Sequence, residues 1–145
     1  GIVKDMHFML QKEVVARLAA GPGDKNYGRL SIMAQYYCEV EHLFDVPPES
    51  FDPAPKVESA IVRLTPYTLL PAIAENLGNF EHMVKTAFQQ RRKTLRNGLK
   101  ALVSDEQAQQ VGLDLTLRAE NLSMQEYVRL SNTLWGSNDI GDAIL

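Results

Sequence analysis

Six cations crowd into one helix-length stretch of this 145-residue chain: Lys85, Arg91, Arg92, Lys93, Arg96 and Lys100. Only one acid, Glu81, lies among them, so residues 80–103 carry a net charge of +5 while residues 1–79 carry −3 and residues 104–145 carry −5. Clustered Lys and Arg neutralise phosphates and release counterions, the chemistry of polyanion binding. Arg also forks onto phosphate oxygens and stacks on bases. Wound at 3.6 residues per turn, Lys85, Arg92, Arg96 and Lys100 form a stripe with Lys93 beside it. Phe80, Val84, Ala87, Phe88, Leu95, Leu99 and Leu102 then fall on the other face. Arg91 is the exception, because it projects among the apolar positions; it is expected to snorkel to the rim or meet a carboxylate. The competing account of the stripe is a solvated helix face.

A second candidate is a lone aromatic, Phe51, in a loop stiffened by Pro47, Pro48, Pro53 and Pro55. Each proline fixes φ and removes a donor, so the loop is neither helix nor central strand. Phe51 either tucks back as a loop anchor or holds a flat surface above a sheet edge. Lys56 beside it is either a phosphate contact or a surface lysine at a strand entry. Gln11, Lys12 and Glu13 sit where a strand gives way to a helix, and serve either as site scaffolding or as a polar helix start. His7, His42 and His82 lie far apart without ligand spacing, which gives no metal motif. Cys38 is the single cysteine, so no internal disulfide forms and a reducing compartment is expected. Gly21-Pro22-Gly23 follows a helix and is not a phosphate-cradling turn. With no Ser-His-Asp arrangement either, hydrolase and nucleotide-triphosphatase chemistry have no support.

The elements that must position these residues follow from hydropathy. The chain is 45% hydrophobic and 23% charged, an ordinary globular balance. No apolar run approaches the roughly 20 residues of a membrane helix, and the first residues lack a signal peptide's core. Residues 6–10 read as a strand buried on both faces of a parallel sheet. Helices follow over 11–20 and 29–38, then strands over 40–46 and 57–65. The spacing next predicts one long helix over 80–103. Capping boxes at Ser104 and Ser123 open two more helices, the first closed by Gly112, with a loop over 113–121 between them. The tail 136–145 is expected to fray. The fold class is α/β plus all-α: residues 1–67 form the α/β part, 68–79 a linker and 80–145 a helical domain.

Four stretches carry a specific resemblance, in order: D-M-H-F-M-L-Q-K-E-V-V-A-R (5–17), Y-G-R-L-S-I-M-A-Q-Y-Y-C (27–38), V-P-P-E-S-F-D-P-A-P-K-V-E-S-A-I-V-R-L (46–64) and F-Q-Q-R-R-K-T-L-R-N (88–97). Together they closely resemble the ribosomal RNA adenine dimethyltransferases of the kasugamycin-resistance type. The resemblance implies the C-terminal half of a Rossmann-like methyltransferase sheet followed by a small helical RNA-binding domain. It implies methyl transfer from S-adenosylmethionine to N6 of two adjacent adenines in a small-subunit rRNA hairpin, with the adenine amine as nucleophile. The implied partner is small-subunit rRNA in the immature 30S subunit, in the cytoplasm, with no membrane and no metal.

By the same resemblance Phe51 is one wall of the pocket that stacks the target adenine, and Lys85, Arg91, Arg92, Lys93, Arg96, Lys100 and Lys56 contact RNA. The family's glycine-rich methyl-donor loop and its N-L-P-Y motif are not present in this sequence. No catalytic residue is therefore assigned within it, the methyl donor is expected to be bound by a missing N-terminal part, and the chain alone is expected to be inactive. Related alternatives are macrolide-resistance methylases of large-subunit RNA and non-catalytic transcription-factor-like relatives. A third is a stand-alone fragment, whose open strand edges would swap or aggregate.

Overall fold

A computed structural model describes residues 4–53 and 56–140 of the chain. Strand β1 (Met6–Gln11) leads directly into helix α1 (Lys12–Ala19), and helix α2 (Arg29–Tyr37) runs directly into strand β2 (Cys38–Val46). A single 3₁₀ turn (Pro48–Ser50) precedes strand β3 (Ser59–Pro66). The sheet order is β1-β3-β2, with both pairings antiparallel. β3 is central because its alternation is the cleanest: Ala60 and Val62 are fully buried on one face. Val15 of α1 covers that face with Leu10, Val40 and Leu64 around it, forming a small core. A bulge at Leu43 breaks the β2 register, so Phe44 lies opposite Ile61 and is 57% exposed.

β1 departs from expectation. It is an edge strand in an antiparallel sheet, not a strand buried on both faces of a parallel one. Its only sheet neighbour among the described residues is β3, which leaves Met6, Phe8 and Met9 exposed. A continuous apolar run reports that two faces want cover; it does not report strand direction or whether cover is present.

The helices form the larger core. They are α3 (Leu77–Gln89), α4 (Leu95–Gly98), α5 (Asp105–Val111) and α6 (Met124–Trp135). Their buried side chains join Tyr27, Ile32 and Tyr36 from the α2 region in one cluster that includes Phe80, Met83, Leu95, Leu99, Tyr127 and Leu130. α5 starts at a capping box on Ser104 and ends at Gly112 with φ +72, and α6 starts at a capping box on Ser123, as the sequence predicts.

The long helix over 80–103 does not form. α3 ends at Gln89, and the chain turns through five residues, 90–94, without an apolar side chain. The amides of Leu95 and Arg96 then donate to the carbonyls of Leu117 and Leu115, at 2.7 and 3.1 Å. Gly98 packs onto the end of α3, where a Cβ would lie 3.6 Å from Gln90. These tertiary hydrogen bonds outcompete two turns of a polar helix that would bury nothing.

The tail also differs over its described part. Asn79 donates to the carbonyl of Asn138 and accepts from the amide of Ile140, which is buried. Asn76, which caps α3, donates to Ser137 and Asp139. Residues 136–140 are therefore pinned to the start of α3; the expectation for 141–145 lies outside the described residues. No helix is long and apolar enough to cross a membrane among those residues.

Candidate nucleic-acid interface

The segment between α1 and α2, G-P-G-D-K-N-Y-G, is built as a docked turn. Gly23 adopts φ +86, a conformation that favours glycine, and its amide donates to the carbonyl of Glu120 at 2.8 Å. Asp24 accepts from the amide of Asn26 at 2.7 Å, the usual role of Asp in such turns. The buried Tyr27 hydroxyl donates to the carbonyl of Leu122 at 2.7 Å. Burial pushes that phenol's pKa well above its ordinary value, with Glu126 adding to the shift. At the other end Gln35 donates to the carbonyls of Leu18 and Ala20, both at 2.8 Å, satisfying acceptors at the end of α1. The turn thus joins α1, α2 and the 119–122 segment. Tyr27→Phe is expected to destabilise the fold by roughly 1–3 kcal/mol, since the buried Leu122 carbonyl loses its donor. Urea unfolding followed by circular dichroism measures it.

This docking brings a cleft into being. About 360 Å³ in volume, it is lined by Arg17, Lys25, Asn26, Gly28, Arg29, Leu30, Phe88 and Arg91. Four cations converge on it: Arg17 near the end of α1, Lys25 in the turn and Arg29 at the start of α2 come from one stretch, and Arg91, 66 positions beyond Lys25, comes from the turn after α3. Arg91 is held at its edge. It donates to Glu120 at 3.2 Å and to the carbonyl of Lys25 at 3.4 Å, and its guanidinium carbon sits 5.6 Å from the Phe88 ring centroid. The residue that breaks the apolar face thus meets a carboxylate and covers an aromatic ring, 37% exposed.

The other cations predicted to bind RNA do not lie on one helix stripe. Lys85 is exposed on α3; Arg92 and Lys93 are exposed in the turn beside Arg91, with no ion pair among the described residues. Arg96 pairs with Asp105 at 2.7 Å on the surface. Lys100 lines a separate cleft with Trp135 and Gln107. Lys56 is exposed at the approach to β3. Phe51 ends the 3₁₀ turn after β2, half-buried, its amide donating to the carbonyl of Pro48 at 3.1 Å.

Sequence reasoning missed Arg17, Lys25 and Arg29, and also Arg118, which bridges to Thr94 across the turn. No local charge run announces them. The one available signal was that each lies in or beside a turn-forming stretch.

At the mouth of α1, Lys12 bridges Glu58 at 3.1 Å and Asp45 at 3.2 Å, and His42 also meets Asp45. The hydrogen bonds to Glu58 and then Asp45 raise the Lys12 pKa, and those from His42 and then Lys12 lower that of Asp45. Lys12 thus joins β3 to β2, which accounts for it as a structural residue. Glu13 pairs with Arg17 one turn along. Among the described residues no group of three or more His, Cys, Asp or Glu side chains could hold a metal ion.

Comparison with known proteins places the chain in a family. The family model described as "Ribosomal RNA adenine dimethylase" matches residues 1–135. Proteins named ribosomal RNA small subunit methyltransferase A are 65% identical over 92% of this chain in Saccharophagus degradans and 59% identical over 90% of it in a Marinomonas species. The chain spans about half the length of these curated relatives, 50% and 49%. A solved dimethyladenosine transferase from Plasmodium falciparum superposes with a TM-score of 0.73 at 24% identity, over 88% of this chain and 55% of its own. The 23S rRNA methyltransferase ErmE superposes at 0.64 and 21% identity, over 89% of this chain and 54% of its own. These two likenesses establish the fold as part of a methyltransferase α/β sheet with a helical unit behind it. On the family match, over nearly its whole length, the chain belongs to the ribosomal RNA adenine dimethylase family.

Proposed function

We propose that the chain is the RNA-gripping and base-stacking portion of an S-adenosylmethionine-dependent enzyme that dimethylates N6 of two adjacent adenines in a small-subunit rRNA hairpin. The observation that carries the RNA-binding part is the convergence of Arg17, Lys25, Arg29 and Arg91 on one cleft, with Arg92 and Lys93 on the turn beside it. A surface of this kind tracks phosphates, and helices α2, α3 and α6 pack together beneath it. The small-subunit relatives named above support the choice of RNA. Phe51 stacks on the target adenine once the base leaves its helix. The chemistry needs no protein nucleophile, only an adenine amine held flat and in line with the methyl donor.

The family's glycine-rich methyl-donor loop and N-L-P-Y motif are not present in this sequence. Gly21–Gly23 closes the end of α1 instead of joining a strand to a helix. S-adenosylmethionine, which supplies the methyl group when bound, is accordingly assigned to the part of the relatives that this chain does not span. This chain alone is then inactive, and the enzyme works in the cytoplasm on the immature small subunit.

The test is an anisotropy titration of the chain against a small-subunit rRNA hairpin and a duplex DNA control, over a salt series. Salt-sensitive binding that prefers the hairpin is expected. Arg92→Glu with Lys93→Glu should weaken it on the order of 100-fold near physiological salt and flatten the salt slope by roughly one to two, one step per lost phosphate contact. Equal affinity for hairpin and DNA would reduce the surface to a general polyanion site, and no binding at low salt would end the RNA-docking reading.

A further inference from the structure

The cleft is more than a row of cations. Its lining combines a flat cation on an aromatic backing, an exposed aliphatic wall and a free amide. Phe88 is fixed by Tyr27, edge-on at 6.1 Å, and by Tyr127, tilted at 6.2 Å, so the ring cannot swing away. Arg91 lies over that ring and is oriented by Glu120 and the Lys25 carbonyl. Leu30 is 46% exposed although Ser31 and Ile32 after it are buried, and it stands in the same lining. The Asn26 side-chain amide makes no hydrogen bond among the described residues, since only its main chain is engaged. Lys25 and Arg29 at the mouth have no ion pair among the described residues, while Arg17 is paired only with the exposed Glu13.

Phosphate binding alone explains the cations and nothing else. It needs neither an apolar wall nor an uncommitted amide, and it gains little from backing an arginine with a ring. Unstacked RNA bases, by contrast, lie on aromatic or guanidinium planes and present hydrogen-bonding edges to amides. At about 360 Å³ the cleft is also at the small end of ligand pockets, which run from roughly 300 to 1,000 Å³.

We infer that this cleft takes one unpaired RNA nucleotide, separate from the adenines being methylated. Its base lies between Leu30 and the Arg91–Phe88 stack, its edge meets Asn26, and its flanking phosphates meet Lys25, Arg29 and Arg17. The inference rests on the RNA-binding reading and adds a structural preference to it: the enzyme recognises a bulge or loop nucleotide next to the paired region it grips. A paired duplex cannot supply that base without paying for its unstacking.

The test compares the chain's affinity for a fully paired RNA hairpin with that for the same hairpin carrying one bulged nucleotide, at several salt concentrations. The bulged RNA is expected to bind about tenfold tighter, the scale of one base-stacking contact. Leu30→Ser should bring that preference near unity while leaving the affinity for paired RNA and the salt slope close to native. Leu30 is a surface residue, so its variant keeps the fold, which circular dichroism checks. No preference in the native chain, or a preference that survives Leu30→Ser, overturns the inference and leaves general RNA binding standing. Failure to bind either RNA at low salt overturns both.

Discussion

Phe51→Ala in the intact protein is expected to lower the rate of adenine methylation on the order of 100-fold, with stability and RNA affinity nearly unchanged. The magnitude follows from losing a base-stacking contact together with the alignment it enforces on the reacting amine. The selectivity follows from where Phe51 sits. It is half-buried at the end of a 3₁₀ turn and belongs to neither core cluster, so its removal leaves no large cavity. Proline at positions 47, 48 and 53 limits how far the loop can relax to fill the gap. Initial rates of methyl incorporation and a parallel RNA titration separate the two effects. Full activity in Phe51→Ala would remove the stacking role and leave Phe51 as a loop anchor.

Much of the fold was legible because its signals are local. The capping boxes at Ser104 and Ser123, the left-handed Gly112 and the β-branched run of β3 each act within a few residues. The break after α3 was illegible for a definite reason. Phe88 and Leu95 are seven residues apart, nearly two full helical turns, so apolar periodicity continues unbroken across a turn that is not helical. What ends α3 is a pair of hydrogen bonds from Leu95 and Arg96 to Leu117 and Leu115, 22 and 19 positions away. Arg91 was the one local clue, a charge where a continuous helix would want an apolar side chain.

The cleft was hidden for a related reason. Arg17, Lys25 and Arg29 are spaced several positions apart with no charge run among them, and the docked Tyr27 turn brings them to Arg91. Net charge along the chain located half of the surface and missed the half that gives it depth. The edge strand β1 illustrates the converse: its apolar run reads as a strand buried on both faces, yet among the described residues Met6, Phe8 and Met9 are exposed.

Phe80→Ala is expected to destabilise the chain by about 3–5 kcal/mol, the usual range for deleting a buried aromatic. Against total stabilities of roughly 5–15 kcal/mol, that is a large share of the whole. Phe80 is completely buried in the first turns of α3, with its ring 5.2 Å from that of Tyr36 on α2. Tyr36 in turn accepts a hydrogen bond from the amide of Ala74 at 3.1 Å, so the same contact anchors the connection between β3 and α3. The helical unit therefore shares its core with a helix that precedes β2 and β3 in sequence. Unfolding should accordingly be a single transition in which Trp135 fluorescence, reporting on α6, coincides with the far-ultraviolet circular dichroism of the whole chain. Phe80→Ala should shift both midpoints together and leave them coincident. Separate transitions, with only the fluorescence moved by the substitution, would mean that residues 80–140 fold on their own. The RNA cleft, built across that shared core, would then owe its shape to docking between two independent units.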